Sequence, residues 1–199
     1  AGARSLGIKQ RALRLDGPRG RGRADGLALP LAETHCPTEC HALKLLYQTH
    51  SPFARKVLVF THEKGIADQI EVVHHETSPT IPNREVFEQN PLGKVPVLVR
   101  PNASALFDSD VICAYLETFA GPKLCPQEGE ARWEALRMQA LAQELATTGI
   151  ALRWETVRRP EAMRYAPLAE GYALKLTSSY DWLEANADFD APLHVGHIA

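Results

Sequence analysis

Three short segments between positions 51 and 112 carry side chains that could together bind a small thiol compound. The first is Ser-Pro-Phe-Ala-Arg-Lys-Val at 51–57, where an apolar run gives way to a helical pattern. A helix N-terminus offers free N–H groups and a partial positive charge, which stabilise a thiolate. The hydroxyl of Ser51 could donate a hydrogen bond to that sulfur anion. An ordinary helix start, with Ser as N-cap and Pro at the first helical position, explains the dipeptide equally well.

The second segment, Asn-Pro-Leu-Gly-Lys-Val-Pro-Val-Leu at 90–98, has a proline where a strand begins. Pro96 removes a donor from the strand ladder, so its presence there is unusual. A cis bond between Val95 and Pro96 would turn the N–H and C=O of Val95 outward, toward Ser51. An extended peptide could then pair with Val95 as an added strand does. A trans turn on an edge strand is the alternative, and the preceding Leu-Gly-Lys favours cis.

The third segment, Phe-Asp-Ser-Asp-Val-Ile at 107–112, begins another predicted helix. Asp108 and Ser109 are good helix caps, and capping alone accounts for their presence. The same geometry could bind a ligand end that carries both charges. The hydroxyl of Ser109 and the helix N–H groups can receive a carboxylate, while the carboxylate of Asp108 can pair with an ammonium group.

Apolar patterning places these segments at the junctions of predicted elements. Short apolar runs predict four strands, at 43–47, 70–73, 95–99 and 105–107. Helical spacing predicts helices at 53–64 and 108–119, and two prolines predict a loop at 77–84. The order is therefore β-α-β followed by β-β-α.

Beyond 121–129, which is rich in Gly and Pro, the pattern is only helical. A long helix is predicted at 130–158, where Pro160 stops it, and a second at 168–186. A third helix begins near Leu193. We interpret 121–129 as a linker.

Composition excludes several classes of protein. The chain has 199 residues, 45% of them hydrophobic, which is enough for a two-lobed unit with a sizeable core. A net charge of −2 argues against general attraction to nucleic acid or membrane. The 4 cysteines do not form a disulfide framework in a chain of this size. A reducing, cytoplasmic location is predicted.

Residues 1–42 differ from the rest. They are rich in Gly and Arg and have no apolar period, so we predict a disordered or non-native extension. Cys36 and Cys40 lie there between His35 and His41, but their CxxxC spacing suits neither a redox pair nor a zinc site. His74 and His75 would point to opposite faces of a strand and cannot chelate together. No metal is predicted.

Residues 43–199 resemble the glutathione S-transferases. Ser-Pro-Phe at 51–53 is found in many bacterial and fungal members and stands where omega-type members have Cys-Pro-Phe. The segment at 90–98 is highly specific for the family, and Phe-Asp-Ser at 107–109 is a variant of its Glu-Ser pair.

The resemblance implies an α/β thioredoxin-like N-terminal domain of β-α-β-β-β-α type at 43–120, followed by an all-α C-terminal domain at 130–199. Because family members continue through the helix that begins near Leu193, we expect the C-terminal domain to be truncated. The resemblance makes Ser51 the catalytic, thiol-activating residue. It implies that glutathione is bound by Lys94, Val95, Pro96, Asp108 and Ser109.

The implied activity is conjugation of the glutathione thiolate, as co-substrate, to a small electrophile by a homodimer, a reaction of detoxification. The electrophile pocket is expected against the first C-terminal helix, with candidates Met138, Leu141, Leu145, Leu152 and Trp154. A non-catalytic glutathione-binding or interaction module on the same fold is the alternative. A thiol–disulfide oxidoreductase would need a cysteine where this chain has Ser51.

Overall fold

The computed structural model describes residues 43–199, and the predictions made for residues 1–42 lie outside the described residues. The first part alternates strands and helices: β1 (Leu43–Tyr47), α1 (Pro52–Glu63), β2 (Ile70–His74), α2 (Arg84–Gln89), β3 (Val97–Arg100), β4 (Ala103–Leu106) and α3 (Ser109–Leu116). The second part is helical: α4 (Gly129–Arg153), α5 (Ala166–Asn186) and α6 (Val195–Ile198). The predicted fold class is confirmed.

The four strands form one mixed sheet in the order β2-β1-β3-β4. β1 is parallel to β2 and antiparallel to β3, and β4 is antiparallel to β3. Antiparallel neighbours run in opposite directions, so the carboxyl ends of β1 and β4 lie beside the amino end of β3. This one end of the sheet receives all three segments singled out from the sequence.

Alternating side chains cover both faces of the sheet, as the period of two along a strand requires. Leu45 and Leu98 point to a core that includes Phe60 of α1 and Ile112 of α3. Leu46 and Val97 point to the opposite face, where a smaller core includes Val86 of α2. The larger core also contains Leu124, Ala135 and Val195, so the helical part packs on the same side as α1 and α3.

Several element boundaries differ from those predicted. β3 begins at Val97, so Val95 and Pro96 precede the strand, and β4 begins two residues and ends one residue earlier than predicted. The pattern does not predict α2, which follows the predicted loop and is capped by the side chain of Asn83. Val86 is its one buried residue, and a six-residue helix with one buried position has no detectable period.

The long helix predicted at 130–158 ends as an α-helix at Arg153, and Trp154–Arg158 forms a π-helical turn. Glu155 is buried in this turn, where its carboxylate accepts hydrogen bonds from the Tyr165 N–H and pairs with Arg159. These contacts join the end of α4 to the segment that leads into α5. Within residues 43–199, no helix combines the length and apolar character needed to cross a bilayer.

α6 is held closely against α4. A Cβ on Gly196 would lie 2.7 Å from the Ala135 carbonyl oxygen, so only glycine permits this approach. The N-cap of α6 is His194, whose Nδ1 accepts a hydrogen bond of 3.1 Å from the Gly196 N–H. The His194 ring also stacks on that of His197 at 3.7 Å between centroids. The cap therefore depends on an unprotonated imidazole nitrogen.

We expect this cap to make the stability of the protein depend on pH. Burial, followed by the proximity of His197, lowers the pKa of His194 below its ordinary value of 6.5, against a smaller opposing effect of Glu134. The unfolded chain thus takes up the proton more readily, so the contribution of this cap to stability is full above pH 6.5 and is lost as the pH falls through the folded-state pKa. Asn also caps helices but does not titrate here. Melting temperatures should therefore fall less steeply in His194→Asn than in the wild type between about pH 7.5 and about pH 5; equal slopes would contradict the role of the cap.

Candidate functional site

The first helix start at the shared end of the sheet carries Ser51. Four residues after β1, its backbone is extended (φ −83°, ψ 114°), and its Oγ accepts a hydrogen bond of 3.2 Å from the Ala54 N–H. As an acceptor from Ala54, the hydroxyl keeps its own proton free to donate to a ligand. Pro52 has no N–H, and within residues 43–199 the Phe53 N–H has no hydrogen-bond partner. One hydroxyl and one amide are thus available at the positive end of α1.

The second segment forms a tight turn before β3. The Asn90 side chain organises it, accepting a hydrogen bond from the Leu92 N–H at 3.0 Å and donating one to the Lys94 carbonyl at 2.8 Å. Gly93 has φ +61°, which favours glycine, and a Cβ there would lie 2.3 Å from the Phe87 ring, so any other residue would require that ring to move. The Lys94 side chain is exposed.

The Val95–Pro96 peptide bond is cis, as the sequence predicts. The side chain of Val95 is buried in the smaller core. Within the described part of the chain, neither the N–H nor the C=O of Val95 has a hydrogen-bond partner. A backbone donor and acceptor are therefore free at the amino end of β3, next to the carboxyl end of β1.

The third segment begins α3 directly after β4. Asp108 is its N-cap, and one carboxylate oxygen accepts from the N–H groups of Asp110 at 3.1 Å and Val111 at 3.5 Å. The Phe107–Asp108 peptide bond is also cis. Asp108 is exposed, whereas Ser109 is completely buried and its hydroxyl lies 3.4 Å from the Gln143 side-chain oxygen on α4. That distance is long for an O–H···O hydrogen bond.

A cavity of about 600 Å³ opens beside the start of α1. His50 and Arg55 border it from the α1 side, and Met138, Leu145 and Arg153 border it from α4. Of the five candidates for an electrophile pocket, Met138 and Leu145 line this cavity, and the other three do not. Its wall is mainly apolar and also includes Arg55 and Arg153, which suits an apolar molecule that bears a negative charge.

The two cysteines in the described part are free thiols: Cys113 is buried in α3, and Cys125 is half-buried after it. Burial raises the pKa of the Cys113 thiol to about 12. Burial, followed by the Glu117 carboxylate, also raises the pKa of Cys125. A thiol with a raised pKa is a poor nucleophile at neutral pH, so neither residue is prepared for thiol–disulfide exchange. Residues 43–199 contain no group of three or more side chains suited to a metal ion.

Sequence reasoning missed the polar residues that hold the site in place. Lys56 of α1 is buried and pairs with Asp110 of α3, and Asn90 is buried in the turn before β3. The signal for Lys56 is its spacing: with Phe60 and Lys64 it recurs every fourth residue on the inward face of α1. A lysine on that face needs a buried acidic partner, and the acidic residues at the start and end of α3 were the available candidates.

Comparison with known proteins agrees with the fold. Residues 50–118 match the family model described as the glutathione S-transferase N-terminal domain. The Escherichia coli K12 protein YibF, described as an uncharacterized GST-like protein, is 32% identical over 143 residues, which are 71% of this chain and 68% of YibF. Pig glutathione S-transferase omega-1 is 33% identical over 78 residues, or 39% of this chain and 31% of that protein.

Among solved structures, a glutathione transferase family member from Pseudomonas fluorescens Pf-5 with bound glutathione superposes with a TM-score of 0.76. It is 31% identical, and the match covers 79% of this chain and 78% of the Pseudomonas chain. The chain belongs to the glutathione S-transferase family.

Proposed function

We propose that this protein is a serine-type glutathione transferase that conjugates the glutathione thiolate to a small electrophile. The observation that carries the proposal is the meeting, at one end of the sheet, of the Ser51 hydroxyl, the unpartnered backbone of Val95 and the start of α3 at Asp108. These groups complement the thiol, the central peptide and the γ-glutamyl end of glutathione. The glutathione bound to the Pseudomonas relative supports the same ligand.

In the proposed mechanism, the hydroxyl of Ser51 donates a hydrogen bond to the glutathione sulfur, and the positive end of α1 favours its ionised form. The N–H and C=O of Val95, turned outward before Pro96, pair with the cysteinyl backbone as a neighbouring strand would. Lys94, which is exposed, pairs with the glycyl carboxylate.

The γ-glutamyl end is held at α3. The Asp108 carboxylate pairs with the ammonium group, and the Ser109 N–H, which the Asp108 side chain does not cap, receives the carboxylate together with the Ser109 hydroxyl. The thiolate sulfur then forms a bond to the electrophilic carbon, a leaving group departs with its bonding electrons, and the thiol proton passes to solvent. The protein contributes positioning and thiolate stabilisation.

The remaining parts of the proposal concern partners. The electrophile would occupy the cavity bordered by Met138 and Arg153.

A homodimer is supported by exposed apolar side chains, Val111 on α3 and Trp133 on α4, which a second copy would cover. The free thiols of Cys113 and Cys125 suit a cytoplasmic location.

A non-catalytic glutathione-binding module is the second candidate. The observation that favours it is the engagement of the Ser51 hydroxyl as cap of α1, a role that needs no catalysis. Retention on glutathione resin, followed by assays with a panel of electrophiles, separates the two functions. Retention without turnover of any electrophile would favour the binding module, and no retention would contradict both.

Replacement of Ser51 tests the assigned role in thiol activation. In Ser51→Ala, we expect the conjugation rate to fall about 10²-fold, because a hydrogen bond to the developing thiolate is lost in the transition state. The pKa of bound glutathione, followed by thiolate absorbance, should rise toward that of free glutathione. Ser51→Thr keeps both the hydroxyl and the cap and should retain most of the activity. A rate and a thiol pKa unchanged in Ser51→Ala would contradict the role.

A cysteine at the same position should change the chemistry. In Ser51→Cys, the helix start should lower the thiol pKa, so that the residue forms a mixed disulfide with glutathione and transfers thiols. The wild type should show little disulfide reduction, since Cys113 and Cys125 have raised pKa values. Strong reduction by wild-type protein from which Cys36 and Cys40 have been removed would refute the serine-type assignment.

Asp108 has a capping role and a proposed ligand role, and two substitutions separate them. Asp108→Asn keeps a side-chain oxygen for the cap but removes the charge, so stability should be nearly unchanged. Glutathione affinity should still fall by about 1–3 kcal/mol, the scale for a charge-assisted hydrogen bond. Asp108→Ala should lose both, with about 1 kcal/mol of stability from the cap. Calorimetry and thermal melts measure the two effects, and equal glutathione affinity in Asp108→Asn would leave capping as the whole role.

A further inference from the structure

Two lysines on the inward face of α1 each pair with a carboxylate of α3. Near the start of both helices, the Lys56 ammonium pairs with the Asp110 carboxylate, and their side chains are 2% and 37% exposed. Near the end of both helices, Lys64 Nζ lies 3.0 Å from a carboxylate oxygen of Glu117, with side chains 0% and 9% exposed. A buried lysine is costly without a partner, so each pair fixes the separation of the two helices at its own end.

The two pairs have different surroundings. The Lys64–Glu117 pair also involves the linker, because Glu117 accepts hydrogen bonds from the N–H groups of Leu124 and Cys125 and Lys64 donates to the Pro122 carbonyl. The Lys56–Asp110 pair lies instead between the two helix starts that carry the site. Asp110 directly follows Ser109, and its N–H is one of the two that the Asp108 carboxylate caps.

We infer that Lys56 and Asp110 are positioning residues for the γ-glutamyl end of glutathione, an inference that rests on the proposed function. Their ion pair sets the start of α3, with Asp108 and Ser109, at a fixed separation from the start of α1, with Ser51. A tripeptide held at both helix starts requires that separation to match the distance between its thiol and its γ-glutamyl group.

The charge of Lys56 gives the pair a second effect on the same ligand end. Asp110 is an acidic residue in the first turn of α3, where its charge would repel a carboxylate bound to the helix N–H groups. The ammonium group of Lys56 offsets that charge at hydrogen-bonding distance. The start of α3 thereby remains favourable for an anion although Asp108 and Asp110 are both acidic.

The chain offers a matched control for the test, since Lys64 lies about two helical turns after Lys56 on the same face of α1. Lys56→Met and Lys64→Met each remove one buried ammonium group and keep a side chain of similar length. Each variant is compared with the wild type for binding of glutathione and of cysteinylglycine, which has the thiol and the glycyl end but no γ-glutamyl group. The measured quantity is the ratio of the two dissociation constants, determined by calorimetry.

In Lys56→Met, we expect the preference for glutathione over cysteinylglycine to fall about 10-fold, since the affected group is the γ-glutamyl subsite. In Lys64→Met, the preference should stay within about twofold of the wild type, whatever the loss of stability. Lys56→Arg, which keeps the charge, should restore much of the preference. A merely structural role of Lys56 would weaken the binding of both thiols together and leave the ratio unmoved.

The double variant Lys56→Met with Asp110→Ala removes the pair without leaving either charge alone. If Lys56→Met does not fold, the same ratio of dissociation constants is measured on this double variant. The inference is overturned if a folded variant without the pair keeps the wild-type ratio, or if Lys64→Met lowers the ratio equally. A wild type that binds neither thiol would instead overturn the proposed function. The two failures are therefore distinguished by the wild-type measurement.

Discussion

The antiparallel pairing of β3 with both β1 and β4 is the constraint on which the candidate site depends. It brings two strand ends and one strand start to the same end of the sheet. Leu45 and Leu46 of β1, like Val97 and Leu98 of β3, are buried on opposite faces, so a slip of one residue would exchange their two cores. The register is therefore fixed by burial, and with it the separation of the segments that contain Ser51, Val95 and Asp108.

Three polar side chains at this end of the sheet have structural roles that account for their presence before any ligand is considered. Ser51 and Asp108 cap helices, and Asn90 closes the turn that precedes Val95. Capping does not use all the hydrogen-bonding groups of these side chains. The Ser51 hydroxyl accepts from the Ala54 N–H and can still donate, and the Asp108 carboxylate has further lone pairs that can accept. The same residues can thus stabilise the fold and bind a ligand, which is why substitutions that keep one role and remove the other are informative here.

The sequence predicts well what local patterning determines. The strand β1, the helix α1 and the cis bond at Pro96 follow from apolar runs, cap residues and a family-specific segment. It fails where contacts outside the local pattern matter: in the π-helical turn that follows α4, the Glu155 carboxylate is bound by the Tyr165 N–H, 10 positions further along the chain. Lys56 is missed for the same reason, since a lysine is expected at the surface and its partner Asp110 lies 54 positions away. The roles of the proposed site residues stay predictions.

The ion pairs of the two buried lysines also explain how α1 and α3 can be placed accurately on an apolar sheet. Contacts such as those of Phe60 and Ile112 are strong but non-directional, and they tolerate small shifts of one helix along another. A buried ammonium group tolerates such a shift poorly, because a displaced carboxylate leaves a charge without compensation. The ion pairs of Lys56 and Lys64 therefore fix the position of α1 relative to α3 at the two ends of their hydrophobic interface. Lys56 is the one beside the helix starts, so the proposed positioning of the candidate site depends on a buried lysine and not on a group proposed to bind glutathione.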